Sequence, residues 1–319
     1  MHPTNLKIGK TIKHLRKQKN LSQEALATGS TLGIICSVKT LRRIESGEAA
    51  IKPYVLTQLL LVLGTKPEEF YAMLYGSDLR AFESDIELIW ELGFAEDFDS
   101  FRDKFEELKT KEYCNTEIPV IFQSLLLCES VLLSNVDNDY TASLDKLYQA
   151  VSLTSPMLLT NIGEIDFDNA SKVAISFAEY RVLRQIANTK AKSGDILGSV
   201  NANKAILTLL ESVEPDIRIK KKLLPATYFN LSTIMLDENI EGAHEIIERG
   251  LKFCTKHKEL KLHWHLWWNK GRVHHQTGDT IQAERCFRQS ITLLAAQDDT
   301  ATIAQLVDAA KTKCGLDLG

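Results

Sequence analysis

Breakers and membrane spans are both scarce in this sequence. Seven prolines punctuate 319 residues, and no apolar run approaches the roughly 18 to 20 residues that a bilayer span needs. With so few breakers and no alternation of apolar and polar residues, long helices are expected and strands are not. The six cysteines (Cys36, Cys114, Cys128, Cys254, Cys286, Cys314) are scattered and form no CxxC. That argues against a disulfide framework and for reduced thiols. There is no Gly-rich phosphate loop, no HExxH and no nucleophile with a recognisable base partner, so neither an enzyme nor a cofactor is expected. The basic N-terminus MHPTNLKIGKTIKHLRKQKN lacks the apolar segment and cleavage site of a secretory signal, so a cytoplasmic, membrane-free protein is expected. What is present is ordinary globular material, 44% hydrophobic and 25% charged, in a length that suits about two domains.

Net charge is −4, which taken alone argues against a nucleic-acid partner, but its distribution points the other way. Residues 1 to 53 hold ten Lys or Arg against three acids, a net of +7, which leaves −11 for the remainder. A basic head on an acidic body is the electrostatic footprint of a DNA-binding module joined to something that must not bind DNA.

The head reads as five short helices. Ile8, Ile12 and Leu15 form one apolar stripe, and Asn20 is a residue that tolerates the left-handed end of a helix. Ser22 is placed to cap a second helix, with Leu26 and Ala27 facing the core. Gln23, in its exposed first turn, is placed to donate to a backbone phosphate. Ser37 caps a third helix that Gly47 stops; Leu41 and Ile44 face inward and leave Val38, Lys39 and Arg42 outward. That is where a recognition helix meets base edges. Arg42 or Lys39 is placed to read guanine, and Val38 to touch a thymine methyl group. Arg43 faces either an acidic neighbour or a phosphate. Pro53 and Pro67 open two further helices.

In order, LSQEALA, SVKTLRRIESG, a leucine-rich helix ending LG and the KPEEF segment resemble the phage-repressor (XRE) type of helix-turn-helix over residues 6 to about 75. The loop TGSTLGIIC is about four residues longer than in that family, and could touch DNA or a partner subunit. The resemblance implies a double-stranded DNA operator as partner and a DNA-contacting set of Gln23, Ser37, Val38, Lys39, Arg42 and Arg43.

Beyond a head of residues 1–75, residues 76–319 carry apolar stripes at helical spacing near 78–92, 97–111, 117–134, 139–153 and 168–192. A degenerate repeat follows. YFNLSTIMLDENIEGAHEIIERGLKFC parallels WWNKGRVHHQTGDTIQAERCFRQSITL, each with an aromatic pair, an Asn (Asn230, Asn269) and a turn residue nine positions on (Asn239, Gly278). Residues 180–210 share the form, Gly194-Asp195 matching Gly278-Asp279. These units resemble tetratricopeptide repeats, which stack into a superhelix with a concave peptide-binding face. The expected fold is therefore all-α: a five-helix head, then a helical-repeat superhelix.

A repressor-type head on such repeats resembles the RNPP family of peptide-pheromone-responsive regulators (the Rgg, PlcR and PrgX group). The resemblance implies a cytoplasmic homodimer and quorum sensing by a short signalling peptide, with side chains of the first repeat helices holding the peptide. The matching positions are Arg184, Asn188, Asn230 and Asn269, with Phe229, Trp268 and Arg272 nearby. Asn offers a donor and an acceptor to a peptide unit, and Arg forks onto a carboxylate. The alternative takes the repeats as a protein-interaction or dimerisation scaffold without a peptide. The segment HWHLWWNKGRVHH is rich in imidazoles, but residues two apart on a helix face different ways, so no metal site is expected.

Overall fold

The computed structural model describes residues 3–29, 33–115, 118–160, 165–166, 175–214, 216–296 and 300–318. Among them the chain is all-α: fifteen α-helices, and no pairing of strands beyond one isolated bridge between Leu159 and Ile165. Among the described residues, no helix is long and apolar enough to cross a membrane. Contacts divide the chain into two compact units, residues 1–193 and 194–319.

The first unit begins with α1 (Pro3–Gln18), α2 (Gln23–Thr28), α3 (Val38–Glu45) and α4 (Pro53–Leu63). Their ends are set by local chemistry. Asn20 takes φ 54°, and Ser22 and Ser37 accept the N–H of Ala25 and Thr40 at 3.0 Å each. Gly47 follows α3 at φ 76°, a conformation that side chains with a Cβ rarely adopt. A Cβ on Gly9 would lie 2.0 Å from the Ile44 carbonyl oxygen, so glycine there lets α1 lie directly against α3. Pro67 opens α5 (Pro67–Phe94), which is broken at Gly76 (φ 38°, ψ −88°), where the sequence places the end of the head.

Beyond that break the unit continues with α6 (Phe98–Lys109), α7 (Pro119–Asn135), α8 (Tyr140–Thr154) and α9 (Phe177–Lys192). The part of the expected 168–192 segment up to residue 174 lies outside the described residues, as do residues 30–32 of the long loop. One apolar core runs from Ile12, Leu26, Leu41 and Phe70 of the head through Phe101, Ile121 and Cys128. Burying each such side chain contributes about 1.5–3 kcal/mol. Because head and early body share this core, the contact boundary falls at 193 and not at 75.

The second unit holds α10 (Ile196–Thr208), a π-helical turn (Leu209–Val213), α11 (Ile217–Met235), α12 (Ile240–His257), α13 (His263–Gln276), α14 (Thr280–Ala295) and α15 (Thr300–Cys314). The two repeats read from the sequence are the hairpins α11–α12 and α13–α14. In each, a small residue lies against its neighbour: Ala243 and Ala283 are fully buried. One capping device recurs along both units. Asp97, Asp139, Asp195, Asn239 and Asp279 open α6, α8, α10, α12 and α14, each accepting the N–H three residues on at 2.9–3.1 Å.

In the first unit, the start of α5 is held against the start of α9. The Phe177 N–H donates to Glu68, and Lys66 Nζ donates to the Ile175 carbonyl at 3.4 Å. Glu179, fully buried, receives the Ser176 N–H at 2.5 Å and the Ser155 hydroxyl. Burial pushes the Glu68 carboxyl up to about 7; the Phe177 N–H opposes that rise and the charge on Glu179 adds to it.

A carboxyl whose pKa is higher folded than unfolded stabilises the fold below its unfolded value, and that stability is lost as pH rises through the folded value. Thermal or urea unfolding between pH 4.5 and 8 is therefore expected to show stability falling across the window, by up to about 3 kcal/mol from this group. Glu68→Gln keeps an acceptor for Phe177 and is expected to flatten that fall; an unchanged slope would contradict a titrating Glu68.

Candidate nucleic-acid interface and ligand-facing helices

The orientation of α3 rests on a buried ion pair. Arg16 of α1 donates to Glu45 of α3 through Nε at 2.6 Å and Nη2 at 2.9 Å, and through Nη1 to the Leu21 carbonyl at 2.9 Å. Gln23 of α2 donates its side-chain amide to the same carboxylate at 2.8 Å. Burial alone would raise the Glu45 carboxyl; the hydrogen bonds from Arg16 and Gln23 and the charges of Arg16 and Lys13 hold it below its ordinary value. Three helices are thereby tied at one point, and Leu41 and Ile44 are turned into the core at 0% and 2% exposure.

With those residues inward, Lys39, Arg42 and Arg43 stand exposed on the opposite side of α3. Val38 is half-buried and packs in part against the core. Ser37 is exposed, its hydroxyl engaged with Thr40 through both the Thr40 N–H and the Thr40 hydroxyl. Gln23 has its amide on Glu45, so what it offers a phosphate in this arrangement is its place at the α2 N-terminus. Beside α3, the long loop presents Ile34 at 81% exposure.

The positions matched to a peptide site fall in both units and are described separately. On α9, Arg184 is half-buried, its Nε has no hydrogen-bond partner, and burial lowers its guanidinium to about 10. Arg181, one turn earlier, lies over the rings of Phe177 and Trp90 at 4.5 and 5.0 Å; burial, with the Arg184 charge, lowers it to about 10 as well. Asn188, one turn beyond Arg184, is half-buried. Sequence reasoning missed Arg181, although a signal existed: no acid stands three or four residues from either arginine.

In the second unit, Phe229 and Asn230 are half-buried on α11. Phe229 meets His265 of α13 with ring centroids 4.7 Å apart. Asn269 is turned inward at 1% exposure, donating to the hydroxyls of Ser232 at 3.0 Å and Thr233 at 2.8 Å on α11. Trp268 meets Phe287 at a tilt of 49° with ring centroids 4.5 Å apart and packs against the core formed by Ala283, Phe287, Ala310, Leu316 and Leu318. Arg272, half-buried, lies close enough to Cys314 of α15 to act on its thiol. The structure thus brings Phe229, His265 and Asn269 to one seam of α11 and α13, with Trp268 turned to another.

A small helical domain that presents a basic helix from a rigid frame, followed by capped helical hairpins, defines a helix-turn-helix protein with a repeat body. The helix-turn-helix family HTH_3 matches residues 12–70, so the head is a DNA-binding domain of this type. No curated protein sequence matches the chain. Over nearly its whole length it shares the fold of PlcR of Bacillus thuringiensis, solved in complex with the peptide PapR7 and DNA. That match has 19% identity and a TM-score of 0.61, over 95% of this chain and 99% of that one. Apo PlcR matches with 18% identity and a TM-score of 0.57, over 95% and 98%. ComR of Streptococcus thermophilus, solved with DNA and its signalling peptide ComS, matches with 14% identity and a TM-score of 0.52, over 97% and 100%. The architecture read from the sequence, a helix-turn-helix head on a helical-repeat body, is therefore present, in the head by the family match and in the whole by fold.

Removing Glu45 would leave the Arg16 guanidinium buried and unpaired, so Glu45→Ala is expected to destabilise the first unit by about 3–5 kcal/mol. A melting temperature unchanged by that substitution would contradict the role given to the pair. Arg42→Ala is expected to leave the fold intact and, where Arg42 reads a base, to cost about 1–3 kcal/mol of affinity for a selected operator. Equal binding by variant and wild type would remove Arg42 from the interface.

Proposed function

We propose that the chain is a cytoplasmic, homodimeric transcription regulator whose head, residues 1–75, binds operator DNA. Its body, residues 76–319, would sense a short signalling peptide and control the head. In this reading Val38, Lys39 and Arg42 meet base edges, Arg43 meets a phosphate, and Gln23 and Ser37 set register at helix N-termini. Two-fold symmetry would match operator half-sites in nearby major grooves.

The observation that carries the peptide half is Arg184. A half-buried arginine whose buried Nε has no hydrogen-bond partner among the described residues favours an anionic group delivered by a ligand. The carboxylate of a peptide suits that position, with Asn188 one helical turn away for its main chain. On the second unit, Asn230 offers an amide beside the aromatic surface of Phe229, and Arg272 a further cation. PlcR and ComR, solved with peptide and DNA bound, support the reading by fold.

The scaffold alternative draws on Asn269 and Trp268. Their present packing, against α11 and against Phe287, is what a repeat with no ligand would use. The two readings separate by mutation. Asn269→Ala is expected to lower stability by about 1–3 kcal/mol, because two hydroxyls lose a buried partner. Arg184→Ala and Asn230→Ala are expected to leave the fold in place and shift the peptide dose response of a reporter by about tenfold or more. Wild-type dose responses in both would refute the peptide site. A reporter indifferent to every peptide, beside a constitutive dimer, would favour the scaffold.

A further inference from the structure

Seven buried side-chain polar atoms lack a hydrogen-bond partner among the described residues, and three of them lie on two neighbouring histidines. They are both ring nitrogens of His263 and Nδ1 of His265, in the first turn of α13. Buried polar groups are normally paired, so a concentration of unpaired ones marks a place completed from outside the chain. The surroundings specify what completes it. His265 stacks on Trp264 with centroids 3.4 Å apart and meets Phe229 of α11 at 4.7 Å. The turn itself is held, the Trp264 carbonyl receiving the Ser290 hydroxyl of α14 at 2.9 Å.

Burial alone lowers both imidazoles, His265 to about 4, and no charged group adds to either shift. At neutral pH each ring is therefore uncharged, with one N–H to donate and one bare nitrogen to accept. A peptide unit carries the matching pair, and the flanking rings suit an aromatic side chain. A metal fits less well: no group of three or more His, Cys, Asp or Glu is placed to hold one among the described residues.

We propose that His263 and His265 of α13, with Trp264 and Phe229, form a binding subsite for an uncharged, aromatic-bearing stretch of peptide. The subsite rests on the peptide-sensor reading for its biological ligand and refines it. It assigns a residue pair and a ligand chemistry that Arg184, Asn188 and the asparagines of α11 and α13 do not specify. A ligand that places Asp, Glu, Lys or Arg here would leave a charge facing uncharged imidazoles.

The test uses the full chain and a defined probe, N-acetyl-phenylalaninamide, followed by tryptophan fluorescence, since Trp264, Trp267 and Trp268 all lie on α13. A saturable change with a midpoint of about 1 mM is expected for so small a ligand. The charged analogue N-acetyl-aspartic acid amide is expected to give none. His265→Phe keeps the ring stack and removes the nitrogens, and His263→Leu removes the other pair. Each is expected to weaken probe binding about tenfold, the effect of one lost hydrogen bond. Each should also leave the melting temperature of the unliganded protein unchanged or raised. No saturable response in the wild type, equal midpoints in the variants, or equal binding of the charged analogue would overturn the proposal. The sensor reading fails separately: a probe that binds while DNA binding ignores every peptide would leave the subsite standing. A regulatory peptide unaffected by either substitution would do the reverse.

Discussion

The arrangement of the head depends on one buried carboxylate. Glu45 receives Arg16 from α1 and Gln23 from α2, and so fixes the rotation of α3 about its own axis. An ion pair of this kind adds little net stability over apolar packing, because both charges must leave water. What it supplies is geometry. Leu41 and Ile44 would be buried in several slightly different rotations, but only one also brings Glu45 to Arg16. The close approach of α1 to the α3 backbone at Gly9 narrows the choice further. The exposed row of Lys39, Arg42 and Arg43 follows from that constraint, and with it the head's capacity to meet a groove of DNA.

The body is built on a different economy. Its hairpins repeat a capped start and a small residue at the crossing, with exposed or half-buried ion pairs such as Arg249–Glu211 and Lys270–Glu248 laid across them. Polar groups buried in this packing need partners. Asn269 finds them internally, on Ser232 and Thr233. Arg184, His263 and His265 have buried nitrogens without them among the described residues. A chain that keeps a cation and two neutral imidazoles incompletely paired forgoes stability at those points, the usual signature of groups reserved for a ligand.

The head was legible because its signals are local. Ser22, Ser37, Asn20, Gly47, Pro53 and Pro67 act within a few residues of themselves, and each does in the structure what its chemistry implies. The hairpins of the second unit were legible for the same reason, through the turn residues Asn239 and Gly278-Asp279. Side-chain partners across 22 to 37 residues were not. Nothing in the sequence says that Gln23 gives its amide to Glu45, that Asn269 turns onto α11, or that Trp268 packs on Phe287. The pattern of the sequence changes near 75 but gives no sign of the core that residues on either side share. Gly76 breaks the helix there, while Glu68 and Lys66 still reach the start of α9.

The most direct test of a peptide-controlled DNA-binding head is the affinity of the full chain for genomic fragments flanking its own gene. It should be measured with and without short peptides encoded nearby, at fixed salt, because phosphate contacts make affinity strongly salt-dependent. A peptide-controlled head predicts sequence-specific binding that at least one peptide changes several-fold or more. Tight binding that no peptide alters would contradict control by a peptide, and the absence of specific binding would contradict the role assigned to α3.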